Sequence, residues 1–246
     1  MRTVLLRLEG PLQSWGTRSR FPHRDTEREP SKSGVLGLIG AALGMPREDD
    51  ERLARLAAGS MAVRVDREGG FVEDFHTAGA GRFAGVEHRV FDTKDPVITR
   101  RSYLTDASFL VAMGFADDAL ATEIDAAIRA PRWSMALGRR GCPPSHPVQA
   151  GLADAEPEEA LRRATWPSRT PPAAQVRLVV ECTPGDGNAE PRQDQPLSFR
   201  LHARHFGRRF VRFVWIQPAE LTLLPEEGRE TSLVALRRPP FESHPA

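Results

Sequence analysis

Lysine is nearly missing from this chain. Of its 34 basic residues only Lys32 and Lys94 are lysine, and the rest are arginine. Arginine presents a planar fork that suits phosphates and stacks on bases. Codon bias in a GC-rich genome would give the same ratio, and the abundance of alanine, glycine and proline agrees with it. Tyrosine occurs once, at Tyr103, and cysteine twice, at Cys142 and Cys182. So few cysteines fit a reducing compartment, though two are enough for one bridge. The longest apolar run, Val35 to Met45, is too short to cross a bilayer. Residues 1–9 lack the apolar core and small-residue cleavage site of a secretory signal. These absences lead to the expectation of a cytoplasmic protein with no membrane partner.

Several chemistries are absent as well. A P-loop needs Gly-x-x-x-x-Gly-Lys-Ser/Thr, whereas Gly10 to Gly16 is one residue too long and has no lysine. Gly79 and Gly81 do not complete a dinucleotide fingerprint. Cys142/His146 and His202/His205 are the nearest approaches to metal-ligand spacing, and a structural zinc site wants four converging ligands. No metal and no cofactor are expected. Tyr103, His76, His88, Lys94 and His23 could serve a metal-independent ribonuclease, which needs a base, an acid and a cation. Nothing in their spacing singles out such a set.

What the chain does have is segregated charge. The net charge is only +1. Yet residues 126–153 and 195–219 contain no Asp or Glu and carry four and five arginines, while acids gather at 48–51, 154–159 and 226–230. This partition is the footprint of a polyanion site, or else a plain solvated basic face.

The apolar pattern predicts a strand at 2–8 and helices at 33–44 and 48–58. Strands are expected at 61–66 and 71–77, the pair turned at Gly69-Gly70 into a hairpin. Residues 78–101 show no sustained period and read as a protruding excursion. A strand over 102–115, a helix over 117–129, a basic loop at 131–148 and a short helix at 156–163 follow. Further strands are expected at 174–181, 199–205 and 210–216, with 183–196 a mobile loop. Strand, helix, strand, strand, helix is the order of a ferredoxin-like domain, the plan of RNA-recognition domains. The fold class is therefore α+β, with a ferredoxin-like (RNA-recognition-motif type) palm over 1–148 and a β-rich extension over 149–246.

The stretch Glu9 to Gly44 organises the rest. A turn carries Gln13, Ser14, Trp15 and Gly16, and a basic loop with Arg18, Arg20, His23 and Arg24 leads to Pro30-Ser31-Lys32-Ser33-Gly34, where a helix starts. Glycines at 34, 37, 40 and 44 share one helix face. Each costs about 1 kcal/mol against alanine, so the row needs a reason, the simplest being a second backbone lying against it. The helix start, with open N–H groups, Ser31, Ser33 and Lys32, reads as an anion site or as an ordinary packed helix. Other candidates are Arg100-Arg101-x-Tyr103, and Gly138-Arg139-Arg140-Gly141, where amides and guanidinium forks can close on a phosphate. Trp15 or Tyr103 can stack a base if exposed, and His76 is a candidate phosphate contact. Singly, each has a plainer explanation in the core or in an ion pair.

Five motifs resemble one family. LLRLEGPLQSWG, PSKSGVLGLIGAALG, DFHTAGAG, RRSYLTDASFLVAMG and LGRRGCPPSHPV occur in order over residues 1–148. Together they resemble the Cas-five family of CRISPR-associated proteins, more narrowly its type I-E Cascade branch. The resemblance implies a palm with a thumb inserted at about 78–101. It implies a non-catalytic subunit that caps the 5′ repeat-derived handle of the crRNA and contacts the backbone and large subunits, meeting target DNA only through the complex. A type I-C relative instead cuts repeat RNA with a Tyr/Lys/His set, which keeps a metal-independent endoribonuclease as the alternative. The family's glycine-rich loop matches Gly138–Cys142 and its opening motif matches Gly10–Gly16. The expected RNA contacts are then Gln13, Ser14, Trp15, Arg18, Arg20, Ser31, Lys32, Ser33, Gly34, His76, Lys94, Arg100, Arg101, Tyr103, Gly138, Arg139, Arg140, Gly141 and Cys142. No catalytic residues are assigned.

Overall fold

The first strand, β1 (Arg2–Glu9), is an interior strand of a sheet, with a strand paired along each of its edges. The computed structural model describes residues 1–17, 23–78 and 97–224. In chain order the strands after β1 are β2 (Leu12–Gln13), β3 (His23–Arg24), β4 (Ser60–Arg67), β5 (Gly70–Ala78), β6 (Val97–Thr105), β7 (Ser108–Phe115), β8 (Gln149–Ala153), β9 (Val176–Cys182), β10 (Glu190–Ser198) and β11 (His205–Ile216). The helices are α1 (Lys32–Leu43), α2 (Asp50–Ala57), α3 (Asp118–Arg129) and α4 (Pro157–Arg163). The fold is mixed α and β with mostly antiparallel sheets.

Among the described residues the main sheet has seven strands in the order β10-β11-β9-β4-β7-β1-β8, every neighbouring pair antiparallel. Next to the central β4 lies β7, SFLVAMGF, with every residue buried. That continuous apolar run is what a strand covered on both faces requires. Alternation then divides the core in two. Val4, Leu6, Val63, Phe109 and Val111 point to the face covered by α1, α2 and α3. Ala62, Leu110, Ala112 and Leu178 point to the other, closed by Leu161 of α4, Trp166 and Leu221.

The helix ends carry their expected signals. Ser31 caps α1, its Oγ accepting from the Gly34 amide, and Gly44 ends it in the left-handed conformation at φ 64°. Asp49 and Asp117 cap α2 and α3 in the same way.

Four expectations are corrected. β4 and β5 do not form a hairpin: both edges of β4 are taken, by β7 and β9. After Gly69 the chain leaves the main sheet, and β5 pairs along its length with β6. Residues 102–115 are two strands, broken at Asp106, whose φ of 54° turns the chain from β6 into β7. Residues 183–196 are not a uniform mobile loop, since β10 begins at Glu190 and buries Asp194. Residues 199–205 are largely the turn between β10 and β11 rather than a strand.

β5 and β6 form a ribbon with β2 and β3 against the other side of β6. Of the expected thumb at 78–101, only Ala78 and residues 97–101 are described, as the ends of β5 and β6; residues 79–96, Lys94 included, and the loop carrying Arg18 and Arg20 lie outside the described residues. Among the described residues no helix is long and apolar enough to cross a membrane.

Candidate nucleic-acid interface

Gln13 is buried under the first turn and ties it together. Its Nε2 donates to the carbonyls of Leu8 (3.2 Å) and Ala107 (2.7 Å), and its Oε1 accepts from the Trp15 indole at 3.0 Å. The Trp15 backbone donates to Thr26 Oγ1 (2.8 Å) and accepts from Glu27 N–H (3.2 Å). Gly34 sits directly on the Trp15 ring, where a Cβ would lie 2.8 Å from Cε3. Trp15 is therefore a core residue that orders the first loop from beneath, and its ring offers no open face for a base to stack on. Its indole N–H is satisfied internally and its ring is covered.

The second loop docks on the first. Ser14 N–H donates to Leu137 O at 3.0 Å. Leu137 N–H donates to Cys142 O (2.7 Å) and Cys142 N–H to Arg139 O (2.9 Å), closing 137–142 into a tight loop. Cys142 is fully buried and burial pushes its thiol pKa up, so it anchors the loop and offers no surface to RNA. Arg139 folds back onto the protein. Its guanidinium donates to the carbonyls of Ser102 (2.9 Å), Arg24 (2.9 Å) and Asp25 (3.2 Å) and lies 4.6 Å from the centre of the Tyr103 ring. It staples the glycine-rich loop to β3 and β6. Arg140 and Gly141 are exposed beside it.

The helix start is less open than the sequence implied. Lys32 is buried, with Nζ 2.9 Å and 3.0 Å from the two Glu181 oxygens, and burial lowers its pKa against the opposing pull of that carboxylate. Its amide donates to Asp194 Oδ2 at 2.7 Å, and Asp194 also takes two bonds from the Arg209 guanidinium. A carboxylate of the protein itself thus occupies the first amide of α1. Lys32 is withdrawn from the set of RNA contacts for that reason. Ser31 is committed to capping, while Ser33 remains half-exposed.

On the ribbon, Arg100 pairs with Glu73 at 2.9 Å, Arg101 Nε donates to Thr99 Oγ1 at 3.1 Å, and His76 Nδ1 lies 3.6 Å from Asp74. By strand register His76 and Tyr103 share a face, since Tyr103 sits opposite Val72. Four residues of strand then separate them by about 13 Å. Among the described residues no three His, Cys, Asp or Glu side chains converge as a metal site would require.

Between these pieces lies a cleft of about 640 Å³. It is lined by the turn Ser14–Thr17 with Arg24, by the Gly138–Arg140 loop, by Trp133, Ser134 and Ala136, and by Phe199, Arg204 and Phe206. Gly34, Gly37 and Gly40 of α1 line it as well. Gly37 is exposed and a Cβ there would meet nothing within 4 Å, while Gly40 faces Met45 and Gly44 faces the Arg132 side chain. The glycine row is therefore not packed against a second backbone, as its spacing suggested; side chains cover part of it and the cleft takes the rest. Arg24, Arg47, Arg139, Arg140 and Arg204 line the cleft, against the single acid Asp25. The side chains of Arg24, Arg47, Arg140 and Arg204 have no acid partner among the described residues. Opposite charge from a ligand would complete such a site. Arg47, Arg204 and Trp133 were not singled out from sequence, although the acid-free segments 126–153 and 195–219 contain two of them.

In charge, an arginine-lined cleft along a glycine-bearing helix suits a polyanion. Residues 3–212 match a family model described as CRISPR-associated protein (Cas_Cas5). The chain belongs to that family. It is 36% identical over 170 residues to the CRISPR system Cascade subunit CasD of Escherichia coli (strain K12), an alignment covering 64% of this chain and 75% of that protein. Two solved structures are also similar. "Crystal structure of Cas protein" aligns with a TM-score of 0.70 and 37% identity, over 89% of this chain and 97% of the other. "CRISPR RNA-guided surveillance complex" aligns with a TM-score of 0.72 and 36% identity, over 92% and 95%.

Proposed function

We propose that this protein is a non-catalytic, crRNA-binding subunit of a type I-E Cascade complex and that the arginine-lined cleft holds the 5′ repeat-derived handle. The observation that carries the reading is the set of guanidinium groups along one cleft that have no acid partner among the described residues, in a chain related to a Cascade subunit and to a component of an RNA-guided surveillance complex. The contacts we assign are Arg24, Arg47, Arg140 and Arg204, with Ser33, Gly34 and Gly141 supplying close backbone approach. Gln13, Ser14, Trp15, Ser31, Gly138, Arg139 and Cys142 position the two loops. His76, Arg100, Arg101 and Tyr103, with Lys94, Arg18 and Arg20 outside the described residues, are assigned to the approach of RNA along the ribbon.

The order β8-β1-β7-β4, with α1 and α3 on one face, supports reading this part as a ferredoxin-like palm. In that reading β8 is the palm's last strand, β9–β11 are the C-terminal extension, and the β5–β6 ribbon is the base of the thumb. Phe71, Val72, Phe75 and Ile98 are exposed on it, and such a surface suits protein partners, which we take to be the backbone and large subunits. Target DNA is met only through the complex. The rival endoribonuclease is disfavoured by the distance between His76 and Tyr103.

The test is binding of a repeat-derived handle oligoribonucleotide by the purified full chain across a salt series, with Arg140→Ala/Arg204→Ala alongside. Tight, salt-dependent binding that weakens and flattens in the variant is expected. Binding unchanged by the double substitution would remove the cleft from the RNA path. Discrete cleavage of repeat RNA in EDTA would favour the rival.

A further inference from the structure

Trp133 is a large apolar side chain left 47% exposed inside a basic cleft, although its backbone is firmly held. Its N–H donates to Ala41 O at 3.1 Å, and the preceding Arg132 N–H donates to Ala42 O at 2.9 Å. Two carbonyls at the C-terminal end of α1 thereby accept bonds from the loop that carries the tryptophan. Ala41 lies one turn along from Gly37, on the same helix face, and Gly37 has open space where a side chain would stand.

Arg24, Arg139 and Arg140 gather near the loops at the start of α1. At the end of α1 the Arg132 side chain lies against Gly44 and Arg47 follows three residues on, so positive charge is available here too, and what sets this end apart is the exposed indole beside the open Gly37 position. We infer that Trp133 is a nucleobase-stacking platform, receiving one unpaired base of the bound strand over the bare Gly37–Ala41 face while the arginines hold its phosphates. The inference rests on the RNA-binding reading of the cleft. It adds a subsite that reads the presence of a base rather than charge. A base has a π-face whatever its identity, so this contact is sequence-tolerant.

The experiment compares the full chain with Trp133→Ala and Trp133→Phe, using handle oligoribonucleotides in which each nucleotide in turn is made abasic. Trp133→Ala should bind the intact RNA about 5- to 150-fold more weakly, the range that loss of one base–aromatic stack gives, with an unchanged salt slope. Trp133→Phe should recover most of the affinity. At one position the abasic change should weaken the native protein yet leave Trp133→Ala unaffected. Tryptophan fluorescence in a Trp215→Phe background, which removes the exposed Trp215, should be quenched by intact RNA and not by that abasic RNA; this readout needs no change at Trp133. Equal effects of Trp133→Ala at every abasic position would overturn the inference. So would native RNA affinity in Trp133→Ala combined with failure to join partner subunits, which would make the side chain a protein contact. Native protein that binds no RNA would instead bring down the reading of the whole cleft, and this subsite with it.

Discussion

The carbonyl oxygen of Ser14 occupies the place of a missing side chain on Gly138: a Cβ there would lie 1.7 Å from it. Gly138 also has φ +88°, which residues with a Cβ rarely adopt. So close an approach of the two cleft loops at position 138 therefore requires a glycine there. Gly138→Ala should cost on the order of 1–3 kcal/mol for the backbone conformation alone, with the collision added. The expected outcome is a lower midpoint in urea together with weakened RNA binding. Native stability would mean that the loops are not in contact.

Gly34 and Gly37 lie on the same face of α1 and should respond in opposite ways. A Cβ on Gly34 would press on the Trp15 ring and on Ser31 Oγ at 3.0 Å, both buried. Gly34→Ala should destabilise by about 1–3 kcal/mol, the usual cost of overpacking. Gly37→Ala meets nothing and should stabilise by up to about 1 kcal/mol through helix propensity. A longer side chain there, as in Gly37→Gln, should leave folding intact and obstruct RNA. Thermal melts paired with binding curves separate stability from access, and unimpaired binding by Gly37→Gln would place the RNA elsewhere.

Adjacent arginines in the glycine-rich loop have different tasks. Arg140→Ala should leave the melting temperature unchanged and lower the slope of log K against log salt by about 0.7, the effect of one single-strand phosphate contact. Arg139→Ala removes bonds to three carbonyls and a stack on Tyr103. It should lower the melting temperature as well as the affinity. Identical behaviour of the two variants would contradict the geometry.

Lys32 supports the fold, and its variants should show this through pH. Removing it as Lys32→Met takes the cation from the Glu181 carboxylate, which is part-exposed and still accepts from the Met61 N–H at 3.0 Å, so the loss should fall below the roughly 3–5 kcal/mol of a fully buried broken pair. Replacing both partners by methionine should recover most of that. Because burial lowers the Lys32 pKa, the unfolded chain holds more protons between the lowered value and the ordinary one of about 10.4. Stability contributed at this site should therefore rise with pH across that window. Denaturant melts of native protein and the double variant, compared at successive alkaline pH values, check the sign. A difference that shrinks with rising pH would refute it.

Much of the scaffold could be read directly from the residues. The apolar run of β7, the alternation of β1 and β4, Ser31 before α1 and Asp117 before α3 each depend on local periodicity or capping, which neighbours in sequence determine. The family motifs, and with them the expectation of an RNA-binding Cascade subunit, were equally available. Pairing was not. Whether β5 joins β4 or β6 depends on which edges of β4 other strands have already taken, and β9 arrives more than a hundred residues later. Nor could the sequence say that Lys32 meets Glu181, that Asp194 reaches the start of α1, or that Trp15 is covered while Trp133 is bare. A charged or aromatic side chain has the same local signature in the core, in an ion pair or in a cleft. Its role is decided by which distant backbone passes beside it, and only the folded chain brings Gly37, Trp133, Arg140 and Arg204 to one cleft.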